Sequence, residues 1–427
     1  MNEILSFYQQ QAKAGKSTIP WLAQMQTKAL DKLSRQGFPT RHDEEWKYTL
    51  LDSLLKQPFE IPQHASSLNG VTSSNLPVKH QVFIQDGVIV NEPEWIKQLP
   101  KGVLLIPLAL ALTTHEDLIK TYLGTILKQE HGFHCLNTAL IHSGVFLYIP
   151  RGVCIEEPIA LIHSQNLDNQ AVHLRHLIIA EADSQATLLE EYKGAEQCSY
   201  LTNTVTEVFV GAGARLSHYK IQNESKSAYH LGHTAVRQSA HSQFFNHSLS
   251  LGGKLVRGDI SIYLQEEHAH CLMNGIYAPA EGQHVDHHTT VHHLVPECSS
   301  EQDYKGILTG RSRAVFNGKV IVSKDAQHTN AKQQNKNLLL SANAEIDTKP
   351  QLEIFADDVL CSHGATVGQL DEEALFYLAT RGIGRLEASK YLIHAFAQDN
   401  LRLIQNRDLA DWMGQLLTQQ LGYANEY

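Results

Sequence analysis

The alternation of apolar and polar residues changes character twice along the chain. Leu22, Met25, Ala29 and Leu33 recur at helical spacing, with Pro20 suited to a first turn and Gly37 to the position just past the end. This predicts a helix with one apolar face. A Pro-broken turn leads on to the acidic and aromatic run Glu45-Trp46-Lys47-Tyr48-Thr49, and the pattern is weak from there to about residue 125. From about 126 to 368 the texture is different: short runs of Val, Ile, Leu, Thr and Tyr separated by Gly, Ser, Asn and Asp, which predicts strands. Beyond Gly368 helical spacing returns, first from Leu370 to near Gly382. Two further stripes follow, Ala388, Tyr391, Leu392 and Ala395, then Leu409, Trp412, Met413 and Leu416. Three regions are expected: a helical and mixed region over 1–125, a β body over 126–368, and a helical domain over 369–427.

Inside the β body a small or polar residue, any residue and an apolar residue recur at intervals of 28, in Ala186-Thr187-Leu188, Ala214-Arg215-Leu216 and Ser242-Gln243-Phe244, with a looser copy at His270-Cys271-Leu272. Such a spacing fits stacked coils, each of which buries its inner face only against its neighbours. Connections between parallel strands are right-handed in nearly all cases. The fold class expected is therefore mainly β, a right-handed parallel β-helix flanked by helical regions. A β-sandwich or double-stranded barrel would show regular hairpin signals, and only Phe316-Asn317-Gly318-Lys319 offers one.

Composition narrows the class. Hydrophobic residues at 42% and charged residues at 19% are ordinary globular usage. A formal net charge of -10, with no basic patch, argues against nucleic acid. The longest apolar run, Val103 to Leu112, contains Pro107 and falls short of the about 20 residues that span a bilayer, and the start lacks the flank of a secretory signal. No membrane association and a cytoplasmic location are expected. The 6 cysteines stand singly, with no CxxC pair, so reduced and mostly structural thiols are expected.

Histidine is the residue in excess, with 25 in the chain and 20 of them between His131 and His363. A strand through Gln283–His293 would set His284, Asp286, His288 and His292 on one face, either as metal ligands of a cupin-like enzyme or as a hydrogen-bonded ladder, the second being the commoner use. Near the end of the β body, Cys361 and His363 would project to one side of a strand with Cα atoms about 6.5–7 Å apart. Thiolate and imidazole both ligate iron-sulfur clusters, but two side chains cannot complete a tetrahedral site. An interface with another subunit is the economical way to finish it, although a Cys and a His two apart on a strand are more commonly structural. No GxxxxGK[ST], GxSxG, HExxH or dinucleotide fingerprint is present, so any ATP chemistry would belong to another chain and no nucleotide is expected here.

The run Leu352-Glu353-Ile354-Phe355-Ala356-Asp357-Asp358-Val359-Leu360-Cys361-Ser362-His363-Gly364-Ala365-Thr366-Val367-Gly368 closely resembles the SufB/SufD family. So do Phe376-Tyr377-Leu378, Arg381-Gly382-Ile383, Pro39-Thr40 with Glu45–Thr49, Cys298-Ser299-Ser300 with Tyr304-Lys305-Gly306, and Asn337–Ser341. These blocks span nearly the whole chain, and the ADD-x-x-CSHGAT form resembles the SufD branch. The resemblance implies a non-enzymatic scaffold subunit of iron-sulfur cluster assembly, pairing with a SufB-like subunit and carrying a SufC-like ATPase on its C-terminal helices. It also allows a homodimer when the partner is missing. His363 would fall at the interface histidine of the family with Cys361 as helper, acting on iron or a nascent iron-sulfur cluster that is transient and shared with the partner.

Overall fold

The structure, a computed structural model, describes residues 2–62, 75–91, 93–141 and 143–422. Strands from Val145–Ile149 onward alternate between two sheets, so that one sheet of 10 strands and one of 9 are built up coil by coil into a β-solenoid of about 8 turns. Every strand pair from Ile159–Gln165 to Val359–Gly368 is parallel. The first coil also takes in His80–Gln85, from upstream of residue 126, which pairs parallel with Ile159–Gln165 across an intervening stretch of short helices.

The 28-residue period holds for one strand pair in each sheet, Arg215 with Gln243 and Leu201 with Tyr229, and drifts elsewhere. Arg215 pairs with Gln243, an offset of 28, but Ala186 lies opposite Leu216 rather than Ala214, and Gln243 opposite His270. From Val145 onward, offsets between paired residues run from 26 (Tyr229 with Leu255) to 32 (Arg313 with Glu345). Ladder pairing fixes strand positions while turns absorb insertions, so an exact repeat is not required. Phe316–Lys319 is no hairpin: it lies within the strand Arg313–Val322.

Side chains alternate between the solenoid interior and its outer faces. Ile178, Leu188, Val208, Leu216, Val236, Phe244 and Ile262 meet inside. Outer faces are apolar only where something covers them. Over the nine-stranded sheet, Leu201, Tyr229, Leu231 and Leu255 pack against Tyr8, Leu33, Phe38 and Trp46 of the N-terminal segment. Over the ten-stranded sheet, Tyr219, Ile221, Leu249 and Ile276 pack against Ile393, Ala397, Leu409, Trp412 and Met413 of the C-terminal helices Arg385–Leu401 and Arg407–Gln420.

The helix Pro20–Gln36 has the expected ends, with Pro at its first turn and Gly37 at φ 68. Asp371 caps the helix Glu372–Thr380, accepting from the N–H groups of Glu373 and Ala374. In Arg385–Leu401 the buried stripe differs from the one the spacing predicts: Ala388, Ile393, Ala397 and Asn400 face the sheet while Tyr391 is 51% exposed and Ala395 also faces outward. The polar Asn400 displaces an apolar residue from that stripe because His247 and Asp303 await it on the sheet. Among the described residues no helix is long and apolar enough to cross a membrane.

Candidate functional site at the last coil

Both sheets end at the same coil, with Val359–Gly368 the terminal strand of one and Glu345–Ile354 that of the other. Each has a neighbour on one side only. In the preceding strand, Ala331, Gln333 and Asn335 are buried and point inward, whereas Asn330, Lys332 and Gln334 are exposed. Cys361 lies opposite Ala331 and His363 opposite Gln333, so both continue the inward-facing row. No further coil covers them. His363 is exposed and Cys361 half-buried, packed against the small cluster of Val320, Val322, Ala331 and Ala356.

Burial pushes the Cys361 thiol up from its ordinary value, only partly opposed by its contact with the Ala331 backbone, so the protonated form is favoured at neutral pH. The unpaired edge carries apolar side chains out into solvent: Leu360 is 74% exposed, Val367 49% and the adjoining Phe355 63%. Free edge N–H and C=O groups beside exposed apolar residues are what strand addition by another chain requires. No third His, Cys, Asp or Glu joins Cys361 and His363 in a cluster tight enough for one ion among the described residues.

The His284–His293 strand is a different kind of place. His284, Asp286, His288 and His292 do share the outer face, but the N-terminal segment lies over them. Thr49 Oγ1 donates to Asp286 Oδ2 at 2.6 Å and sits 3.1 Å from His284 Nε2. Arg257 Nη1 donates to Asp286 Oδ2 at 2.8 Å. His288 bridges Asp286 at 2.9 Å and Glu45 at 3.1 Å, and His292 stacks on Tyr263 at 4.6 Å. Burial opposes the charge on Asp286, yet Arg257 and His288 outweigh it and hold the carboxyl well below the usual range. The row is a hydrogen-bonded ladder that seats the Glu45–Thr49 run on the solenoid, and its only carboxylate is already shared among three donors.

The amino-acid blocks and this fold have counterparts in known proteins. A model described as the SUF system FeS cluster assembly, SufBD core domain, matches residues 162–396, and one for the SufBD protein N-terminal region matches 1–161. The chain belongs to the SufBD family. It is 32% identical to the iron-sulfur cluster assembly protein SufD of Escherichia coli (strain K12) over 390 residues, 89% of this chain and 88% of that one. It is 33% identical to an iron-sulfur cluster assembly SufBD family protein of Synechocystis sp. over 91% of this chain and 88% of the other. The iron-sulfur cluster assembly protein SufB of Bacillus subtilis is 27% identical over 70% of this chain and 64% of its own length. The likeness to SufD read from the sequence motifs is thereby shown, and the β-helix with it.

One cluster escaped the sequence reading. His131 and His134, three apart at the start of the helix Gly132–Ala139, meet Asp259 of the strand Leu255–Leu264. The His-x-x-His spacing was available as a signal; the carboxylate, contributed from the solenoid wall, was not.

Proposed function

We propose that this chain is a non-catalytic scaffold subunit of a SufBCD-type complex in the cytoplasm. It pairs with a SufB-like subunit through its last coil, and His363, helped by Cys361, contributes to acquiring iron or positioning a nascent cluster shared across that interface. The observation that carries the reading is the open coil itself, which displays an inward-facing imidazole and thiol at an unpaired strand edge flanked by Leu360 and Val367. A partner strand laid along Val359–Gly368 would supply the missing ligands and, by burying Leu360, release about 1.5–3 kcal/mol from that side chain alone.

ATP hydrolysis falls to a SufC-like ATPase carried by the C-terminal helices. Phe376 (72% exposed), Tyr377, Leu386 and Tyr391 leave an uncovered apolar and aromatic surface on Glu372–Thr380 and Arg385–Leu401, the composition that interface cores favour. The test is co-expression with SufB and SufC homologues, then anaerobic iron and sulfide determination. His363→Ala is expected to lower cluster yield while the three chains still co-purify, and Cys361→Ser to lower it less. A normal yield from the His363→Ala complex would remove that residue from the mechanism.

A further inference from the structure

On the outer face of the nine-stranded sheet, far in sequence from the last coil, three side chains converge where the N-terminal segment crosses the solenoid. The nearest ligand atoms of His131, His134 and Asp259 all lie within 4.8 Å of one another. Their rings and carboxylate are held in place from behind. The His131 and His134 rings lie with centroids 3.6 Å apart, tilted by 31°, and Trp46 meets His131 edge to face at 5.0 Å. His134 Nε2 is engaged by His233 Nδ1 at 2.8 Å, and Asp259 Oδ1 accepts from Arg257 Nε at 2.9 Å.

What is left over points to a ligand. His134 is 4% exposed, yet its Nδ1 has no hydrogen-bond partner among the described residues, and neither nitrogen of His131 has one. Asp259 Oδ2 stops 3.8 Å from His131 Nε2, too far for a hydrogen bond. Buried imidazole nitrogens without partners are uncommon and call for an explanation. All three residues line a cavity of about 470 Å³, with Glu45 and Glu130 also on its lining. Arg257 and Lys319 are opposing charges on the lining, but Arg257 is paired with Asp259 and Asp286 and Lys319 with Glu353.

We infer that His131, His134 and Asp259 form a binding site for a divalent first-row transition-metal ion. Two imidazoles and one carboxylate form a facial ligand set with open positions, and water in the cavity would fill these. Bonds of about 2.0–2.2 Å put ligand atoms about 3.0–3.4 Å apart, so the widest of the three separations closes by up to about 1.4–1.8 Å on binding. The contacts from His233 to His134 and from Arg257 to Asp259 are outer-shell partners of the sort that fix a ligand's orientation. The site lies apart from Cys361 and His363 and needs no partner subunit.

The test uses the full-length chain, chelator-treated and kept anaerobic, titrated with Co²⁺. One saturable equivalent is expected, with weak visible d–d bands and no sulfur-to-cobalt charge transfer. His134→Ala and Asp259→Asn should each weaken binding at least tenfold, the order found when a metal site loses support, whereas Cys361→Ser and His363→Ala should bind as the wild type does. Because Trp46 abuts His131, bound Co²⁺ should also quench part of the wild-type emission, and Trp46→Phe should abolish that part. This second readout does not depend on whether the ligand variants fold. Absence of saturable binding, a charge-transfer band lost in Cys361→Ser, or binding that leaves Trp46 emission untouched would each overturn the assignment.

Discussion

Glu207 offers a sharp test of how the N-terminal segment is fastened to the solenoid. Its carboxylate lies on the outer face of the strand Leu201–Val210, fully buried, with Arg175 Nε and Nη2 donating to Oε2 at 3.1 and 2.7 Å. The same carboxylate accepts the backbone N–H of Gly124 at 2.8 Å and of Leu127 at 3.4 Å, and Arg175 Nη1 reaches Asn137 Oδ1 at 3.2 Å. One acid thus joins a solenoid strand, the 124–127 turn and the helix that carries His134. Glu207→Leu strands a guanidinium that has no exposed surface. Breaking a buried pair in this way costs about 3–5 kcal/mol.

Arg175→Met with Glu207→Leu removes both charges; the two backbone N–H groups lose their acceptor in the single and the double variant alike, so the double adds only the lost donor for Asn137, about 1–3 kcal/mol. The double variant should therefore be more stable than the Glu207→Leu single, with a coupling energy of at least about 2 kcal/mol between the sites. Urea unfolding of the four proteins of the cycle, followed by circular dichroism, measures it. A single-variant cost below about 1 kcal/mol, or costs that simply add, would refute the claim that this pair bolts the segment down.

Stability should also fall in mild acid. Burial holds His247 down to about 4, against the opposing contact of Nε2 with Asn400 Oδ1 at 2.8 Å. With a folded value below the unfolded one, the stabilising contribution is present above about pH 6.5 and drains away as the pH falls toward 4, roughly 2 kcal/mol by pH 5 for such a group. Burial also holds His176, His233, His287, His292 and His293 down to about 4, so His247→Asn should lessen the slope between pH 7 and 5 by one group's share, and an unchanged slope would count against it. At the last coil, Leu360→Lys and Val367→Lys place charges along the unpaired edge and should weaken co-purification with a SufB homologue at least tenfold while leaving the melting temperature of the isolated chain unchanged; undiminished pairing would move the interface elsewhere.

Local pattern determined a good deal here. Short runs of Val, Ile, Leu, Thr and Tyr between turn residues announce strands over about 126–368, the Pro20 and Gly37 pair brackets a helix, and two residues apart on a strand puts Cys361 and His363 on one side whatever the fold. The family blocks place the chain with the SufB/SufD family by themselves. Alternation cannot say which side is inside, which outer face is roofed over, or which coil is last, since those depend on contacts between residues far apart in sequence. Thr49 reaches Asp286 across 237 positions, turning a candidate metal face into a ladder under the N-terminal segment. Tyr391, expected on the buried stripe, is exposed while Asn400 is buried, because His247 and Asp303 lie on the sheet beneath that side of the helix. His363 is exposed on an inward-facing row only because no coil follows its strand, and Asp259 meets His131 and His134 only because a helix from the N-terminal region docks on the solenoid wall. Chemistry that needs several side chains at one point is fixed by tertiary structure, since ligand atoms must lie within a few ångström of one another and the spacing of residues along one strand or helix supplies only two of them.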